Sequence, residues 1–84
     1  MDAKQVLVER VEDRSVEDSI GFAVSRERES QGLTTTQLAK KVGISQAQIS
    51  RLENGKQGFR SGTLERVAKA LDIQLLVPYG LATS

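Results

Sequence analysis

A chain of 84 residues, 38% hydrophobic and 27% charged, has the make-up of one small folded domain with a thin core, since a chain this short hides only about 60% of its unfolded surface. With no cysteine and no histidine, it excludes disulfide scaffolds, zinc fingers, thiol nucleophiles and imidazole acid–base catalysis. The net charge of +1 hides a polarity: residues 1–30 set eight carboxylates against five cations, and residues 31–84 set seven cations against three carboxylates, so one half is suited to an electrostatic partner.

Residues 1–14 read as an arm in which Val6, Leu7, Val8 and Val11 suit a short strand, a ragged helix or a partly ordered segment. The opening Met1-Asp2-Ala3-Lys4 lacks the layout of a signal peptide, and no apolar run approaches the roughly 20 residues of a membrane helix, so the expected location is the cytoplasm. Ser15 followed by Glu17 and Asp18 is an N-cap with acids facing the positive end of the helix dipole. The apolar spacing of Val16, Ile20, Ala23 and Val24 predicts a helix over about Val16 to Gln31, with Gly32 as its stop.

Thr34-Thr35-Thr36-Gln37 is a capping box opening a short helix that buries Leu38 and Ala39 and ends at Gly43. Ser45-Gln46-Ala47-Gln48 is a second, opening a helix that buries Ile49 and Leu52 and ends at Asn54-Gly55. Two short helices joined by a turn at a glycine make a helix-turn-helix. Lys56 to Gly62 reads as a loop, after which Ser61 or Thr63 caps a helix carrying Leu64, Val67, Ala68 and Leu71. Ile73, Leu75 and Val77 then alternate as in a strand, ended by Pro78. A lone strand is unstable. It must pair with residues 4–8 or with its own copy in a second subunit.

Carboxylates are spread along helix faces, no glycine-rich phosphate loop precedes a helix, and the core is too small for a substrate pocket. The expectation is a protein that is not an enzyme and uses no cofactor or metal. Phe22, Phe59 and Tyr79 are too scattered for a stacking platform and read as core or interface residues.

The stretch Thr34 to Lys56, with Leu38-Ala39, Gly43, Ile49 and Leu52-Glu53-Asn54-Gly55 at their spacings, resembles the helix-turn-helix of the Xre/Cro/C1-type repressors, and the likeness extends over roughly Ile20 to Leu71. The fold it implies is mostly α: a lambda-repressor-like helical bundle, plus a C-terminal β-strand pairing across a dimer. The organisation implied is an N-terminal arm over 1–14, a DNA-binding domain over 15–71, and a strand and tail for dimerisation over 72–84. The function implied is a sequence-specific transcriptional regulator, a repressor that binds double-stranded DNA at a palindromic operator as a homodimer. A recognition helix of about 46–54 would lie in the major groove.

Carried over position by position, the resemblance makes Gln46, Ala47, Gln48, Ser50 and Arg51 the base-contacting residues. It makes Thr35, Thr36, Gln37, Asn54, Lys56 and Arg60 the phosphate contacts. Family members often carry glutamine where Thr35 stands. Arg28 and Glu53 occupy the places of a largely buried ion pair. Ile73, Leu75, Leu76 and Val77 fall where HipB-like and HigA-like antitoxins pair a strand with its two-fold mate. The alternative function is therefore an antitoxin or other protein-interaction module. In that reading the acidic arm neutralises a basic toxin partner; in the other it is solvated surface that limits non-specific DNA binding.

Overall fold

The computed structural model describes residues 3–10, 12–57 and 59–78. The expectation for Tyr79, like the tail past Pro78, lies outside them. In chain order the elements are β1 (Lys4–Leu7), α1 (Val16–Ser30), α2 (Thr35–Val42), α3 (Gln46–Glu53), α4 (Ser61–Ala70) and β2 (Ile73–Leu76).

Local chemistry sets most of these boundaries. The Ser15 side chain accepts from the Asp18 amide, and both expected capping boxes form, Thr34 with Gln37 and Ser45 with Gln48. Each satisfies two amides that the first helical turn would otherwise leave unpaired. Neither residue expected to cap α4 does so: the helix starts at Ser61 itself, two residues before Thr63, with Arg60 at the N-cap position and no side-chain cap bond there. α1 stops at Ser30, with Gln31 as its C-cap.

The core draws on all four helices, on β2 and on Val8 just after β1: Val8, Ile20, Val24, Leu38, Ala39, Val42, Ile49, Leu52, Leu64, Val67, Leu71 and Ile73. Burying one such aliphatic side chain contributes about 1.5–3 kcal/mol. Phe59 packs against this core, but Phe22 does not, being 52% exposed; it lies outside the α1 stripe set by Ile20 and Val24.

Of the two partners open to the C-terminal strand, the N-terminal one is taken. β1 and β2 pair in parallel, Lys4 opposite Ile73 through Leu7 opposite Leu76. The Lys4 amide donates to the Asp72 carbonyl at 3.2 Å and the Val8 amide to the Leu76 carbonyl at 2.8 Å. Lys4 also pairs with Glu27 on α1 at 2.9 Å. The arm is thus stitched to both ends of the domain.

Candidate nucleic-acid interface

Gly43, Ile44 and Ser45 alone separate α2 from α3, and the turn is closed by the Gly43 and Ile44 amides, which both donate to the Ala39 carbonyl, at 2.8 and 3.1 Å. Gly43 takes φ +85° here, a conformation side chains disfavour, and a Cβ on it would also meet Arg66 Nη2 at 3.0 Å. That guanidinium donates to the Val42 carbonyl at 2.6 Å. Arg66, part of the basic stretch by sequence, therefore caps α2 from α4.

With Ile49 and Leu52 buried, helical periodicity turns Gln46, Ala47 and Arg51 outward, and all three are exposed; Ser50 is half-buried. Gln46 Nε2 donates to Thr35 Oγ1 at 3.1 Å. That bond joins the first turn of α3 to the first turn of α2. Threonine at position 35, where family members often carry glutamine, thus holds the Gln46 amide through its hydroxyl. One N–H and the carbonyl oxygen of Gln46 stay available, the pair required for a bidentate contact with adenine.

Gln48 is less free than its exposure suggests. Its Oε1 accepts from the Ser45 amide at 2.9 Å. The carbonyl that would accept from adenine N6 is committed to the cap, which leaves only the NH2 group to donate. Gln37 is in the same state, its Oε1 accepting from the Thr34 amide at 2.8 Å, so a donor remains, as a phosphate contact requires. Thr36, Lys56 and Arg60 are exposed. Asn54 Nδ2 donates to the Ser50 carbonyl at 2.8 Å, which spends one of its two N–H groups on its own helix.

The back of α3 is anchored by charge. Arg28 Nε donates to Glu53 Oε2 at 2.7 Å and Nη2 to Oε1 at 3.1 Å, while Nη1 donates to the Leu33 carbonyl at 2.7 Å. The hydrogen bond to Glu53 is the main cause that raises the Arg28 pKa above its ordinary value, against the opposing effect of burial. Sequence reasoning missed Gly21, which lets α1 approach the end of α3: a Cβ there would overlap the Leu52 carbonyl oxygen and lie 2.7 Å from that of Glu53. A glycine inside a strong helical pattern was the available signal.

Among the described residues no group of acidic side chains is arranged to hold a metal ion, and no helix is long and apolar enough to cross a membrane. A family model described as helix-turn-helix matches residues 24–77. The chain belongs to the helix-turn-helix family. Its Xre/Cro/C1-type character agrees with similar proteins that carry repressor names. It is 44% identical over 57 residues to the HTH-type transcriptional repressor RghR of Bacillus subtilis, covering 67% of this chain and 42% of that protein. It is 47% identical over 53 residues to the competence pilus inhibition repressor of Acinetobacter baylyi, covering 63% and 48%. The chain thus spans less than half the length of both relatives. Among solved structures, the clp gene regulator ClgR from C. glutamicum superposes with a TM-score of 0.70 at 27% identity, covering 74% of this helix-turn-helix chain and 80% of that one.

Proposed function

We propose that this helix-turn-helix protein is a cytoplasmic, sequence-specific transcriptional repressor that binds double-stranded DNA, with residues 15–71 as the reading domain and α3 in the major groove. The observation that carries the reading is the Gln46–Thr35 bond. It fixes an exposed base-reading amide beside the α2 N-terminus, where Thr36 and Gln37 offer donors to a phosphate. Gln46, Ala47 and Arg51 are the base-reading residues. Ser50 and Gln48 are secondary, the first half-buried and the second tied to its cap. Thr35, Thr36, Gln37, Lys56 and Arg60 face the backbone, with Asn54 supporting the end of α3.

Arg51→Ala is expected to weaken operator binding by about 1–3 kcal/mol, five- to 150-fold in a gel shift, with the melting temperature unmoved. Unchanged operator affinity would remove Arg51 from the interface. Affinity for the operator should also fall steeply with added salt, as phosphate neutralisation requires.

The same reading includes a homodimer on a palindromic operator, joined through β2. In the parallel ladder the main-chain groups of Asp72 and Leu76 face β1, so by alternation those of Ile73, Leu75 and Val77 face the other edge, which carries no strand among the described residues. Beside that edge runs a groove of about 640 Å³ lined by Leu64, Ala68, Leu75 and Val77, with Glu65 and Lys69 at its rim. A second copy placed antiparallel about Leu75 would exchange Leu75 N–H and C=O with its mate and set Ile73 opposite Val77. The open edge would then be satisfied and both grooves covered. Two recognition helices would stand about 34 Å apart. The Ile73 side chain belongs to the protomer's own core at 4% exposure, so its part in a dimer is limited to its main chain. Leu75, Leu76 and Val77 are half-buried.

Because the chain has no cysteine, one introduced thiol reports on itself alone. Opposed hydrogen-bonded residues lie about 5.5 Å apart at Cα, within disulfide reach. Leu75→Cys is expected to give a covalent dimer on mild oxidation and Gln74→Cys to stay monomeric on a denaturing gel. The reverse pattern would shift the register, and failure of both would remove β2 as the dimer seam.

A further inference from the structure

The helix-turn-helix is held at two places, and the second hold comes from a residue outside the set of base and phosphate contacts. At the N-terminal ends of the two helices, Gln46 Nε2 donates to Thr35 Oγ1 at 3.1 Å. At the turn itself, Arg66 Nη2 reaches across from α4 and donates to the Val42 carbonyl at 2.6 Å. A Cβ on Gly43 would come within 3.0 Å of that nitrogen, so the guanidinium lies against the left-handed residue at which the chain leaves α2. The carbonyls of a helix's last turn have no partner inside the helix. Here the Ala39 carbonyl takes the Gly43 and Ile44 amides. That of Val42, a buried residue, takes the charged donor of Arg66 at the negative end of the α2 dipole.

α4 is a firm post for this hold. Leu64 and Val67, on either side of Arg66, are buried in the core, and the end of the helix is tied to α1 by Gln31 Nε2, which donates to the Leu71 carbonyl at 2.7 Å. Only Gly43, Ile44 and Ser45 connect α2 to α3, so the angle between the two helices depends on what fixes that turn. Thr36 and Gln37 stand at the start of α2, and Gln46, Ala47 and Arg51 on the exposed face of α3. A loosened angle displaces the second group against the first. A flexible cation such as Lys56 can follow a phosphate through such a displacement; a bidentate base contact, fixed in direction and distance, cannot. We infer that Arg66 is a positioning residue for sequence discrimination, setting the angle of α3 to α2 through the Val42 carbonyl without itself touching DNA. This role rests on the DNA-binding reading proposed above.

The test compares the parent with Arg66→Ala on two duplexes at several salt concentrations: an operator selected by the parent from a randomised pool, and an unrelated sequence. Arg66 is exposed and alanine suits a helix, so the variant is expected to fold, which circular dichroism at the binding temperature checks. Operator affinity should fall about ten-fold, the worth of one displaced base contact, while affinity for unrelated DNA and the salt slope stay as in the parent. Arg66→Lys, which keeps a charged donor, should recover part of the loss. In the free protein, hydrogen exchange at the Gly43 and Ile44 amides should speed up in Arg66→Ala, a readout that needs no DNA. An equal loss on both duplexes, with a salt slope smaller by about one, would make Arg66 a phosphate contact and overturn the assignment. A lower melting temperature with operator preference intact, or parent-like exchange at both amides, would overturn it too. A parent that selects no operator would remove the DNA-binding reading itself, a separate failure, and the role of Arg66 with it.

Discussion

Gly21→Ala is expected to destabilise the fold by about 3 kcal/mol, the upper part of the range for overpacking a close contact. On an exposed helix the same change would stabilise by up to about 1 kcal/mol, because alanine is the better helix former. The sign reverses because the atoms a Cβ would meet are main-chain carbonyls of Leu52 and Glu53, which cannot rotate away as a side-chain tip would. α1 and α3 must separate, and the Arg28–Glu53 bonds that span the same seam are stretched with them. For a domain of this length, about 4–8 °C of melting temperature is lost per kcal/mol. Gly62→Ala supplies the contrast: nothing lies within 4 Å of a Cβ there, and that variant should melt at or above the parent. A Gly21→Ala protein as stable as the parent in thermal and urea unfolding would show that the crossing has slack.

The difference between these two glycines marks what is legible in the sequence. Capping is local: a hydroxyl and an amide three residues on decide it. Thr34 with Gln37 and Ser45 with Gln48 were therefore readable, and with them the helix-turn-helix and the outward phase of Gln46, Ala47 and Arg51. The alternation of Ile73, Leu75 and Val77 announced a strand by the same logic. Its mate did not announce itself, because Lys4–Leu7 lies far away in sequence and no short-range pattern distinguishes it from a partner on another chain. The start of α4 was misplaced for a related reason: the helix begins at Ser61 without the side-chain cap that serves as the sequence signal. Side-chain commitments were equally hidden. The bonds that hold Arg66 to the Val42 carbonyl and Asn54 to the Ser50 carbonyl depend on rotamers and helix crossings. Residues that look like free cations or amides in the sequence are already in use. Phe22, expected in the core or at an interface, is kept out of the core by the phase of α1.

Glu53→Ala, two residues from Arg51 on the same helix, is expected to do the opposite of Arg51→Ala: it should cost about 3–5 kcal/mol of stability and leave operator affinity unchanged where the protein remains folded. The Arg28 and Glu53 side chains are only 13% and 10% exposed. Removing the carboxylate leaves a guanidinium that cannot escape by losing its proton, since arginine stays charged at any ordinary pH. Lysine in its place could neutralise; arginine must find water or strain the seam. The Leu33 carbonyl, which Arg28 also holds, loses its fixed donor as the guanidinium moves. Glu53→Gln keeps the shape and one acceptor oxygen and should therefore cost less than Glu53→Ala. Most of the loss is the penalty of a stranded charge and not the net worth of the pair, so replacing both partners with apolar residues of similar size, Arg28→Met with Glu53→Leu, should recover much of it. A Glu53→Ala variant that loses less than about 1 kcal/mol would place the pair with ordinary surface salt bridges. One that keeps its stability and loses operator binding would move Glu53 from the scaffold to the reading face.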